Sequence, residues 1–295
     1  MMLSVEGISK SYGKQDVLHD ITFTIKEPGI LALVGPNGSG KSTLLNIIAN
    51  LVKPDRGEVT VLGRPNREPD MFRKFSYMQD NTVLYEYLTG YDHLQFIAAV
   101  QQLDKDDILA AAERIGTAGY LDKKVSNYSL GMKQQLLLTM AVVNKPKLLI
   151  LDEPLNGLDP TNAIKVRNLL LELKEEGTAI LLSSHNLAEI DRVTGDVLFL
   201  KDGRLLKENL KTLEQTFYVL TVDDPEAAET ALRLAGIPIT EKTGAKLTVT
   251  PGDASINRLF LALDGRGIAV LDWEKIVLGA EDRYRALFGE QAAKD

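Results

Sequence analysis

The chain has 295 residues, 44% hydrophobic and 25% charged, with a formal net charge of −7 at neutral pH. That length allows one large domain plus a small one, and the acidic balance, with no Lys/Arg cluster, argues against nucleic acid as the main partner. Cysteine is absent, which excludes a disulfide framework or thiolate metal site and points to a reducing cytosol.

The opening text, MMLSVEGISKSYG, lacks the basic head and apolar run of a secretory leader. Nowhere do about 18 apolar residues run together, so the chain is not expected to cross a membrane. LSVEGISKSYG and DVLHDITFTIKEPG alternate apolar and polar residues (Leu18, Ile21, Phe23, Ile25), as half-buried strands do. Ile30–Val34 is a continuous apolar run ending in Gly, the pattern of a strand buried on both faces. The spacing then predicts a helix with Leu44, Ile48 and Leu51 on one face, followed by strand-like EVTVL and FSYMQ.

From about Tyr85 to Val143 the text is helical. After Pro146 it returns to strand, helix, strand: Leu148–Leu151, a helix from near Pro160, then AILLSS and DVLFL. Such alternation predicts a parallel sheet wrapped by helices, with the helical stretch as an insertion. Composition shifts after KENLKTLEQT. Two halves follow, YVLTV-DDPEAAETALRLAG-IPI and KLTVT-PGDASINRLFLALDGRG-IAV, each reading strand, helix, Gly turn, strand. Asp224 and Pro225 suit a helix start. Ala228, Ala231, Leu232 and Ala235 share one helix face, and Ile256, Leu259, Phe260 and Leu263 share the other. Two such halves suggest a small α+β ferredoxin-like domain. GAEDRYRALFGE reads as a last helix, and Trp273, the single Trp, as core.

Two segments carry chemistry. GPNGSGKST (Gly35–Thr43) matches G-x-x-x-x-G-K-[ST] between a buried strand and a helix, the context that motif requires. Gly35, Gly38 and Gly40 let the backbone turn its N–H groups inward around a phosphate, with Asn37 and Ser39 between them. Lys41 can reach the β- and γ-phosphates, and Ser42, followed by Thr43, can hold Mg²⁺. In LLILDEP, Asp152 ends an apolar strand at the carboxyl edge of a parallel sheet, where it can hold Mg²⁺ through water. Glu153 follows it, placed to polarise an attacking water.

A third segment, NYSLGMKQQL (Asn127–Leu136), is ambiguous on its own. It reads as a Ser at the head of a helix, with Leu130, Leu136 and Leu137 finding a core. A helix start with a Ser hydroxyl and an unobstructed Gly N–H is equally an anion site.

From about Leu3 to Glu208 the chain resembles the ATP-binding subunits of ABC transporters. Tyr128-Ser129-Leu130-Gly131-Met132 stands where that family carries its L-S-G-G-Q signature, and Lys133-Gln134 continue the pattern. The resemblance implies that Ser129 and Gly131 face the γ-phosphate of ATP held by a facing subunit. It also implies that Tyr12 stacks on adenine and that Gln79 senses Mg²⁺ and faces the membrane subunit. Asp159, in Asn156–Asp159, would fix a segment at the dimer interface, and His185, in SSHNL, would bond the γ-phosphate. His19 and His93 read as solvated or packed. Two departures stand out: Leu130 and Met132 replace Gly and Gln of the signature, and Gln135 replaces a common Arg.

The fold expected is therefore a P-loop NTPase of ABC type, with a mixed β core and a helical insertion. The ATPase domain would span residues 1–212, with a helical subdomain at about 85–145 and an accessory domain at 217–295. Catalytic roles fall on Glu153, His185 and Gln79, and metal contacts on Ser42, Gln79 and Asp152. Resemblance implies ATP and Mg²⁺ as cofactors, and a homodimer or paired ATPase chain as partner. It further implies an integral membrane permease, placement at the cytoplasmic face of the membrane, and no nucleic acid. The tail resembles the small domain of drug, bacitracin and lantibiotic export systems, favouring export. The alternative is a soluble ABC ATPase acting on ribosomes or DNA. Ribosomal members usually carry two cassettes, and DNA-repair members a long coiled coil; here there is one phosphate loop and no sustained heptad run between Gln79 and Ser129. A small-molecule kinase would leave Ser129, Asp159 and His185 unexplained. The Tyr-rich NTVLYEYLTGYDHLQF either receives a helix of a membrane partner or fills the core of the insertion.

Overall fold

The computed structural model describes residues 1–185, 187–209, 216–250, 256–277, 283–284 and 287–289. The chain divides between Asn209 and Leu210 into two compact units.

In the first unit, β1 (Leu3–Tyr12) and β2 (Gln15–Ile25) form an antiparallel hairpin. Leu18, Ile21, Phe23 and Ile25 of β2 are all buried. Next come β3 (Gly29–Val34), α1 (Lys41–Ile48), β4 (Arg56–Val61), β5 (Arg64–Pro65) and β6 (Phe75–Met78). The helical insertion holds α2 (Gly90–Gln101), α3 (Lys105–Ile115) and α4 (Leu130–Val142). Reciprocal Thr89/Asp92 and Asp104/Asp107 bonds start α2 and α3, the capping-box solution to orphaned first-turn N–H groups. Then follow β7 (Leu148–Leu151), α5 (Pro160–Glu175), β8 (Ala179–Ser183), α6 (Leu187–Asp191), β9 (Asp196–Lys201) and β10 (Arg204–Asn209).

Two sheets result. One is antiparallel, in the order β2-β1-β4-β5. The other runs β10-β9-β3-β8-β7-β6, parallel from β9 to β6, with β10 antiparallel at one edge. Its central strands are apolar throughout because both faces are covered: Leu148 to Leu151 and Ala179 to Leu182 are at most 1% exposed. The side chains of α1 (Leu44, Leu45, Ile47, Ile48) pack between the sheets.

The expected helix face of Leu44, Ile48 and Leu51 is corrected at its end. Asn50 adopts a left-handed φ of +58°, a common way to stop a helix, and Leu51 is turned outward, 56% exposed.

The second unit comprises β11 (Thr216–Val222), α7 (Pro225–Leu234), β12 (Ile239–Thr243), β13 (Lys246–Val249), α8 (Ile256–Asp264) and β14 (Val270–Val277). Its sheet order is β12-β13-β11-β14, all antiparallel, with α7 and α8 supplying Ala228, Ala231, Leu232, Leu259 and Leu263 to one core. Asp224 caps α7 with Pro225 in its first turn. Trp273 is not core: it is 48% exposed. It lies on the edge strand β14, opposite Leu220, where Tyr218 and Phe260 flank its ring. The helix expected over 279–290 falls largely outside the described residues.

Candidate active site

The parallel strands deliver the candidate residues together. In the order β3-β8-β7-β6, the carboxyl ends of four neighbouring strands lead to the phosphate loop, to Ser184 and His185, to Asp152 and Glu153, and to Gln79. Neighbouring strands lie about 4.8 Å apart, so these ends form one row at the sheet edge where ligands bind in such folds.

Within the loop, Gly40 adopts φ +101° and starts α1 without any side-chain cap or first-turn acid. That helix end carries partial positive charge and suits an anion. A side chain at Gly40 would press within 2.9 Å of Val17. Asn37 and Gly38 are exposed, Ser42 is exposed at the helix start, and Thr43 is half-buried beside it. The Ser39 hydroxyl is buried without a partner, a cost that a bound phosphate oxygen would remove. Lys41 is buried, and its ammonium donates to the carbonyls of Gly35 at 2.7 Å and Pro36 at 3.2 Å. Burial holds Lys41 below the ordinary lysine value of 10.5, partly opposed by the carboxylates of Glu153 and Asp152.

Next to it, Ser183 donates to the Asp152 carboxylate and accepts the Glu153 N–H at 3.0 Å. Glu153 has a left-handed φ of +51°, which costs a non-glycine residue about 1–2 kcal/mol. Its carboxylate meets His185 Nδ1 at 2.9 Å and accepts the His185 N–H at 3.3 Å. His185 is 58% exposed and Glu153 22%. Gln79 follows β6 half-buried. Two residues earlier, Tyr77 donates to Asn46 of α1 at 3.2 Å; burial, with Asp152 and Asp80 nearby, pushes its phenol pKa up. Tyr12, at the end of β1, is 50% exposed with the Lys10 ammonium 5.3 Å from its ring centre.

At the other end of the insertion, Ser129 caps α4 by accepting from the Met132 N–H at 3.2 Å. Ser129 and Leu130 are exposed, and α4 has no acid in its first turn. The expectation that Leu130 finds a core is overturned; Leu136 and Leu137 do so. Leu130 instead lies against Gly157 so closely that Gly157, at φ +72°, has no room for a Cβ. A Cβ on Gly131 would sit 3.7 Å from the Gly157 carbonyl. Asp159, two residues on, caps α5 by accepting the Asn162 N–H at 3.0 Å, which with the Asn162 amide holds its carboxyl below the usual range.

Residues 18–156 match the profile of the ABC transporter family. The chain is 36% identical over 208 residues to the lantibiotic transport ATP-binding protein SrtF of Streptococcus pyogenes, spanning 70% of this chain and 90% of that protein. The chain belongs to the ABC transporter ATP-binding proteins. Over 297 residues, 98% of its length, it is also 30% identical to the ABC transporter ATP-binding protein YhcH of Bacillus subtilis, covering 96% of that relative. A solved ATP-binding subunit of an ABC transporter superposes with a TM-score of 0.67 at 32% identity, over 72% of this chain and 92% of that one. This ABC subunit is accordingly an ATPase.

Where the ABC signature usually continues with Arg, Gln135 joins a polar chain. It accepts from the Tyr120 hydroxyl at 2.8 Å and donates to the Asn162 side chain at 3.1 Å, so Asn162 links α4 to the Asp159 cap. The Tyr-rich stretch does not fill the insertion core with Tyr85 and Tyr87, which are 58% and 69% exposed. His93 is packed: it accepts the Tyr85 N–H at 3.0 Å and meets the Thr89 carbonyl at 2.7 Å. Sequence reasoning missed two residues here, Ser183 and Gln134. Gln134 is buried, and its amide donates to the Glu153 carbonyl at 3.0 Å. One signal was available: Gln134 is a polar residue on the helical stripe of Leu137, Leu138 and Ala141.

Proposed function

We propose that this ATPase subunit works as a head-to-tail dimer around two ATP molecules, driving export through a separate membrane permease at the cytoplasmic face. The observation that carries the dimer is the exposed face on which the Ser129-capped start of α4, with no acid in its first turn, and the Asn156–Asp159 turn lie against each other through Leu130 and Gly157. A helix start open to solvent, with a hydroxyl at its cap and no acid in its first turn, suits a phosphate brought by another chain.

In this reading, arriving phosphates replace the Gly35 and Pro36 carbonyls as partners of the Lys41 ammonium. Loop N–H groups, Ser39 and Thr43 hold phosphate oxygens, and Tyr12 stacks on adenine. Glu153 takes the proton of the attacking water, and His185 orients the Glu153 carboxylate and the γ-phosphate. Ser129 and Gly131 of the facing chain close the site, with Asp159 fixing the turn beside them.

The donor set fits Mg²⁺. Ser42, Asp152 and Gln79 offer hard oxygens, and the described residues hold no cluster of three His, Asp or Glu that would form a protein-only cage. Mg²⁺ is commonly held by phosphates, one or two protein oxygens and waters. Bound there, it would neutralise charge on the β- and γ-phosphates.

Export is supported by the lantibiotic transport relative. The β-α-β-β-α-β order of the second unit supports a ferredoxin-like accessory domain, and exposed Tyr85 and Tyr87 near Gln79 support a permease contact there. Mass spectrometry of proteins co-purifying from gently solubilised membranes tests the reading. A polytopic membrane protein at fixed ratio is expected; ribosomal proteins or nucleic acid without one would overturn it.

A further inference from the structure

Glu153 is held at both ends of its peptide. Its N–H donates to Ser183, which is tied in turn to Asp152, and its carbonyl accepts from Gln134. A left-handed non-glycine conformation persists only where the surroundings over-determine it; these two bonds do so. Gln134 has little other reason to be where it is. It is buried on the apolar side of α4, among positions filled by Leu137, Leu138 and Ala141, and a buried amide is unfavourable there unless hydrogen-bonded.

Gln134 also stands five residues after Ser129 on the same helix. A rigid helix transmits a displacement of its start to every side chain it carries. Movement of α4 at the signature therefore reaches the Glu153 carbonyl directly.

We infer that Gln134 is a positioning residue: it locks the Glu153 peptide in the conformation that aims its carboxylate at His185, and so ties the signature helix to the general base of the same chain. The inference rests on Glu153 being that base. Without the Gln134 bond, Glu153 relaxes toward ordinary backbone angles and its carboxylate leaves the water it should activate. Misplacement of about 1 Å in a reacting group lowers rates by up to about 100-fold.

The test uses the full chain with its membrane partner. Gln134→Met keeps length and apolar volume but removes the donor. Its kcat should fall about 10- to 100-fold, while ATP affinity and the melting temperature stay close to wild type. Unchanged kcat overturns the inference, as does parallel loss of ATP binding and kcat, which would make Gln134 a fold element only. Gln134→Glu gives a second readout, because its carboxyl can donate to the Glu153 carbonyl only when protonated. Its kcat relative to wild type should rise as the pH is lowered; a flat ratio overturns the inference. Glu153→Gln separates the two levels. Full hydrolysis by that variant would remove Glu153 as base and this inference with it. Loss in Glu153→Gln with full kcat in Gln134→Met would remove the inference alone.

Discussion

Gly35→Ala and Gly38→Ala, three residues apart in one loop, should fail for different reasons. Gly35 is buried, and a methyl group there would sit 2.6 Å from both the Leu200 carbonyl oxygen and the Ser39 hydroxyl. Ser39 can turn away, but Leu200 is backbone in β9, held in the parallel sheet beside β3. The strand must therefore yield by several tenths of an ångström. Overpacking of this kind costs about 1–3 kcal/mol. At about 2 kcal/mol, a unit of roughly 200 residues loses about 4–8 °C in Tm. Gly38 has nothing within 4 Å but a φ of +75°, so Gly38→Ala carries only the backbone term, about 1 kcal/mol and roughly 2–4 °C. Thermal unfolding of the ATP-free protein should rank Gly35→Ala below Gly38→Ala below wild type. ATP titration should show Gly35→Ala weakened as the displaced Ser39 enters the phosphate space. Equal melting of Gly35→Ala and wild type would refute the close approach of loop and strand.

Lys41→Ala should weaken ATP binding by about two orders of magnitude, since it removes a charge-assisted contact to phosphate; unchanged binding in a nucleotide titration would sink the loop assignment. Because burial lowers the Lys41 pKa in the free protein while phosphate charge would raise it, ATP binding favours the protonated form. Affinity should be full below the free-protein value and fall as pH rises through it, beginning below 10.5; Lys41→Arg, which stays charged, should be flat over that range. Gln135→Leu breaks the Tyr120–Gln135–Asn162 chain and should destabilise by about 1–2 kcal/mol. Chemical denaturation measures this, and no change would mean that solvent already satisfies those groups.

The row of strand ends was legible because it rests on local signals. Continuous apolar runs ending in Gly35, Asp152 and the SSH turn define buried parallel strands, and a topology rule puts their carboxyl ends together. Side chains at edges were not legible. Trp273 and Leu130 carry the same hydrophobicity as core residues, and only the neighbours supplied by the fold, an edge strand for one and Gly157 for the other, decide their exposure. The Gln134–Glu153 bond joins positions 19 residues apart through a tertiary contact that no periodicity encodes. Gln135 shows the same limit: its departure from the family Arg was visible, but its partners Tyr120 and Asn162 come from two other segments.

The central claim, that the ATP site is completed by a second chain, is tested most directly by sedimentation of Glu153→Gln with ATP and Mg²⁺. The variant should bind without hydrolysing and shift from the mass of one chain to that of two, and adding Ser129→Arg should return it to one chain with ATP still bound. A Glu153→Gln protein that stays monomeric at saturating ATP, or a dimer that ignores Ser129→Arg, would contradict the account.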